Sequence, residues 1–184
     1  MDGWGIALRD TVLVALVLVT SYTDVRYERI RNVHTFPAMA MGLALGGAIA
    51  GVSGVGAAAA GLCVGLLTMG VLFALGVMKA GDVKLAMAIG AMVGAWSVAR
   101  GLLLSFILYL PVGLFYLVAR GHIRNLWTAL RRMGWFVYTL LHPGLRAVPL
   151  QLEGMTLAPF GMVLGVAALL VHFVGWLGPK GILP

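Results

Sequence analysis

Long apolar runs alternate with short polar steps along the whole chain, and the steps divide it into lengths suited to membrane crossing. At about 20 apolar residues per helical span, the pattern predicts six spans. The first runs from 4 or 8 to 22, the second over 35–52 with Pro37 tolerated in its first turn, and the third over 55–78. A fourth continues from a polar step at 79–84 to about 98, a fifth ends near 119, and the last covers 157–177. Between them lie a polar loop over 24–34, a tight turn at Ser53-Gly54 and a turn at Arg100-Gly101. Over 120–156 five arginines are mixed with Trp127, Leu130, Trp135, Val137, Tyr138 and Leu141, and Pro143 and Pro149 interrupt the stretch. That mixture predicts an amphipathic helix lying in the interface rather than a crossing. The expected fold is all-α, a polytopic membrane protein forming one domain over 1–184 with no soluble appendage.

Composition sharpens this picture. The 184 residues are 61% hydrophobic and 10% charged, with mean hydropathy +1.02, whereas a soluble domain carries roughly 25% charged residues. The N-terminal run lacks Lys and Arg before Arg9 and has no small-residue cleavage signal after it, so it reads as a retained span rather than a removed signal peptide. The net charge of +7 is explained by topology and by contact with anionic lipid at the cytoplasmic face, not by nucleic acid. Six spans gather Arg26, Arg29, Arg31, Lys79, Lys84 and the five arginines of 120–156 on one side, leaving Arg9, Arg100 and Lys180 on the other. The richer side is the cytoplasmic one, which puts both termini outside. The single cysteine, Cys63, excludes a disulfide framework or thiolate zinc site and is expected in the core. Glycines four apart, including Gly42/Gly46, Gly61/Gly65 and Gly90/Gly94, predict close helix packing in the second to fourth spans.

Two of the six acidic residues stand out. Asp24 closes the first span and Asp82 opens the fourth, both on the cytoplasmic side. Charge at membrane depth is costly and usually functional. Two carboxylates sharing a proton can hydrolyse a peptide bond, one taking a proton from water while the other gives one to the carbonyl oxygen. No metal or cofactor is needed. The four histidines are scattered without ligand spacing and read as structural or interfacial. Helix polarity divides the labour. Asp24 follows the negative end of one helix and is expected to be the acid, while Asp82 at the positive end of another is expected to be the base.

Three motifs carry a resemblance. Asp24 is followed by Ile30 and Asn32, Gly81-Asp82-Val83-Lys84 opens the fourth span, and Pro159-Phe160-Gly161 opens the last. In order and placement they resemble the type IV prepilin peptidases, membrane aspartyl proteases marked by a GxGD motif. Lys79 stands where that motif has its first glycine, Arg31 where a proline precedes the asparagine, and Met162 where a second proline closes the last element. The resemblance implies Asp24 and Asp82 as catalytic residues, with Lys79, Gly81, Lys84, Asn32, Pro159 and Gly161 binding substrate or supporting the site. It implies leader-peptide removal from prepilin-like subunits at the bacterial inner membrane. The chain looks like the short, peptidase-only form found with tight-adherence pili, without a methyltransferase segment. An ion-coupled carrier and a non-catalytic assembly subunit are the competing readings. A carrier site is expected near the midplane, and intact prepilin under all conditions would mark a scaffold.

Overall fold

The computed structural model describes residues 2–119, 127–128, 131–132, 134–135, 138–139 and 159–175, and the regular structure among them is helical. The elements are α1 (Asp2–Tyr27), α2 (Asn32–Ala74), α3 (Ala80–Val93), α4 (Ala95–Ala119) and α5 (Phe160–Leu169), the last running into a π-helical turn at Leu170–Val174. Three helices are long and apolar enough to cross a membrane, over Gly3–Tyr27, Asn32–Ala74 and Ala95–Tyr116. The interfacial helix expected over 120–156 lies outside the described residues except for short helical pieces.

As one rod, the 43 residues of α2 would measure about 65 Å, twice the ~30 Å of a bilayer's hydrocarbon core. The chain avoids this by doubling back. Ala50 (φ −131, ψ 17) and Gly51 (φ 61, ψ −141) leave the helical region, and a Cβ on Gly46 would fall 2.7 Å from the Gly54 carbonyl oxygen. Eight residues of unbroken helix would hold those two about 12 Å apart. The turn therefore comes at Ala50-Gly51, not at Ser53-Gly54. Ser53 begins the second limb with its hydroxyl donating to the Ala50 carbonyl at 2.7 Å, and Gly54 is the contact rather than the corner.

The next turn is also displaced. Gly94, at φ 82, separates α3 from α4, which runs unbroken through Arg100 and Gly101. Arg100 stays in the helix by laying its guanidinium over Trp96, 4.9 Å from the ring centre. Gly101 serves packing instead, since a Cβ there would meet the Ala168 Cα at 3.3 Å.

The core is built around α3, whose Leu85, Ala86, Ala88 and Ile89 are fully buried. Both limbs of α2 approach it through small residues: Gly61 against Gly90, Gly65 within 2.6 Å of the Ala86 carbonyl, and Gly42 within 2.8 Å of Ala91 as judged by an added Cβ. Without side chains between them the backbones make direct van der Waals contact, which is what holds helices together in lipid. Cys63, expected in the core, is exposed. Its two neighbours at 61 and 65 face α3, and a residue two positions away in a helix points to the opposite side.

Candidate active site

α1 does not stop at 22 but continues through Asp24 to Tyr27. Only 28–31 are then left to reach α2, and Glu28 makes the bend at φ 50 with its N–H on the Asp24 carbonyl at 2.9 Å. Asp24 thus lies inside the last turn of α1 and is 4% exposed. Asp82, 5% exposed, lies in the first turn of α3, where Lys79 is the cap residue. Its Oδ2 accepts the Lys79 N–H at 3.3 Å, and its own N–H donates to the Lys79 carbonyl at 3.0 Å. That reciprocal pair satisfies a donor that a helix start otherwise leaves open. The two acids lie within electrostatic reach of each other, and the Lys79 ammonium acts on both. From the same side chain Nζ reaches the Glu28 carbonyl at 3.4 Å. A lysine in place of the motif glycine therefore ties the α1–α2 bend to the start of α3.

Asp24 also serves a helix far away in sequence. α5 begins at Pro159, a cap residue with no side-chain donor or acceptor to offer. The Asp24 carboxylate fills that role from α1, with Oδ2 accepting the Met162 N–H at 3.2 Å and the Gly161 main chain close enough to act on the same carboxylate. Helix N-termini bind anions in this way. The approach requires glycine, because a Cβ on Gly161 would lie 2.8 Å from Asp24 Oδ2. Asp24 thus faces the negative end of its own helix and the positive end of α5 together. Helix polarity consequently no longer separates an acid from a base in this pair.

Ile30 is wedged between the glycines of the two other motifs. An added Cβ on Gly81 would meet its Cβ at 3.1 Å, and one on Gly161 would meet its Cδ1 at 2.7 Å. The starts of α3 and α5 close on this one side chain, which fixes both acids relative to the bend after α1. Outside it, Lys84 Nζ donates to Asn32 Oδ1 at 2.8 Å and lies 5.6 Å from the centre of the Phe36 ring. The sequence-predicted residues Asp24, Asn32, Lys79, Gly81, Asp82, Lys84, Pro159 and Gly161 are thereby gathered at one end of the bundle.

Two residues near the pair were not singled out by the sequence. Tyr109 of α4 stands edge-on to Phe160, ring centres 5.2 Å apart, and its phenol is within electrostatic reach of both acids. Ser21, three residues before Asp24 and so on its face of α1, has a buried hydroxyl with no hydrogen-bond partner among the described residues. A phenol and a hydroxyl inside an apolar run are ordinary in composition; only the fold reveals what they face. Among the described residues no group of three or more His, Cys, Asp or Glu could hold a metal ion. Chemically, two buried carboxylates can hold one proton between them and pass it in either direction.

The type IV leader peptidase family model matches residues 11–118, a stretch that includes both acids and the Asn32–Lys84 link. Nothing matches among curated proteins or among solved structures.

Proposed function

Because the chain belongs to the type IV leader peptidase family, we propose that it is an intramembrane aspartyl endopeptidase removing the leader peptide of prepilin-like subunits. The cut is made at the cytoplasmic face of the bacterial inner membrane by a six-crossing chain with both termini outside. One carboxylate of the Asp24–Asp82 pair takes a proton from water as the hydroxyl adds to the peptide carbonyl carbon. The other gives its proton to the carbonyl oxygen, and the C–N bond then breaks with the proton leaving on the new amine. Lys84 and Asn32 support the mouth of the site, Lys79 supplies positive charge beside the acids, and Gly81, Pro159 and Gly161 keep the space the acids occupy.

The observation that carries this reading is the convergence of two buried carboxylates from α1 and α3 at one end of the bundle. A carrier site is expected near the middle of the membrane instead. The test is cleavage by the purified protein of a prepilin with a basic leader, a glycine before the cut and an apolar helix after it. Asp24→Asn and Asp82→Asn should each lower the rate by at least about a hundredfold, the scale of lost acid–base catalysis, with thermal unfolding showing a folded protein. Wild-type rates in both variants would refute the mechanism.

A further inference from the structure

A second charged cluster occupies the opposite end of α1. Asp10 precedes Asp24 by fourteen positions, about 21 Å of helix. Its Oδ1 accepts Arg9 Nε and Nη2, both at 3.3 Å, and faces His172 Nε2 at 2.9 Å. These side chains are only 15–25% exposed. His172 belongs to the π-helical turn after α5, a departure from α-geometry that often marks a functional position. All three side chains line a cavity of about 370 Å³, together with Ser97 and Arg100 from α4. Arg100 makes no ion pair with any described residue; its guanidinium lies against the Trp96 face instead.

Charge and shape point to one kind of ligand. Among the described lining residues Arg9 and Asp10 offset each other, so Arg100 leaves one positive charge uncompensated even with His172 neutral. The remaining walls, among them Ile6, Ile49, Met92 and Phe173, are apolar. Guanidinium matches phosphate oxygens in charge and in the geometry of its donors, and the cavity is larger than a bare anion requires. Trp96, 64% exposed beside the cavity, is of the type that settles at headgroup level.

We infer that this cavity binds a phosphate ester bearing an apolar group, drawn either from the bilayer as a phospholipid headgroup or from solution. Arg100 and His172 hold the phosphate, Asp10 keeps His172 and Arg9 in position, and the apolar walls take the rest. The site is remote from the two acids and does not depend on their chemistry.

Thermal unfolding of the full chain in a maltoside detergent tests this, titrated separately with dihexanoyl phosphatidylglycerol and with n-butyl phosphate, a soluble phosphate monoester. A saturable rise in Tm with the short-chain lipid alone supports a membrane source. An equal rise with n-butyl phosphate supports a soluble one. In either case Arg100→Gln and His172→Gln should weaken apparent affinity about tenfold, while Arg100→Lys, which keeps the charge but not the forked donors, should lose less than Arg100→Gln. No saturable shift with either probe, or undiminished affinity in both glutamine variants, overturns the inference.

Discussion

At Gly161 a methyl group would sit 2.8 Å from Asp24 Oδ2 and 2.7 Å from Ile30 Cδ1, and neither neighbour can yield freely. Asp24 is held by the start of α5, and Ile30 is pinned on its other side by Gly81. Gly161→Ala should therefore displace the carboxylate while leaving the helices assembled. Misplacement by a fraction of an ångström to 1 Å can cost up to about a hundredfold in rate, so we expect a loss of about tenfold or more in kcat/KM at a cost of about 1–3 kcal/mol in stability. Cleavage and thermal unfolding measured on the same preparation separate the two. The paired acids also set a pH response. The mechanism needs one proton on the pair, so it fails when both carboxyls are protonated at low pH and when both are ionised at high pH. The profile of kcat/KM should be bell-shaped, and a flat profile would argue against shared titration. Both acids were legible in the sequence because a carboxylate in an apolar run has little other reason to persist. The partner of Asp24 was not legible, since Met162 offers a main-chain N–H 138 residues away and main-chain donors leave no mark in the sequence.

Among the elements, the sequence revealed which residues punctuate the chain better than what each does. Ser53-Gly54 and Arg100-Gly101 both look like turns, yet the turns fall at Gly51 and Gly94, whose positive φ values only glycine adopts without strain. With 26 glycines in the chain, those that bend backbone and those that allow contact are chemically identical until the fold sorts them. The two kinds respond differently to substitution. Gly51 has nothing within 4 Å of an added Cβ, so Gly51→Ala should cost about 1–3 kcal/mol through backbone strain alone, and larger residues should add little. Gly61 and Gly90 lie backbone to backbone between α2 and α3, so the penalty at Gly61 should grow with size from alanine to valine to leucine. Thermal unfolding of the two series makes the comparison, and a size dependence at Gly51 as steep as at Gly61 would contradict the assignment. The span lengths behave similarly: α1 runs past 22 to Tyr27, and those added residues carry Asp24 into the helix rather than beyond it.

For the whole molecule, orientation decides which aqueous space the acids meet. α1 has Asp10 toward one end and Asp24 toward the other, and the bend at 28–31 and the start of α3 lie on the Asp24 side. The turn at Ala50-Gly51 ends the first limb of α2, which begins beside that bend, so it lies on the Asp10 side and lines the same cavity. Arg26, Arg29, Arg31, Lys79 and Lys84 cluster at the Asp24 end, which the positive-inside rule assigns to the cytoplasm. Single-cysteine labelling checks this, since Cys63 can be replaced by alanine on its exposed face. Arg31 and Ser53 are both exposed, one at each end. In intact cells a membrane-impermeant maleimide should label Ser53→Cys at once and Arg31→Cys only after the membrane is opened. The reverse pattern would turn the acids outward, where a leader held in the cytoplasm never arrives, and cleavage at the cytoplasmic face would fail even with both carboxylates in place.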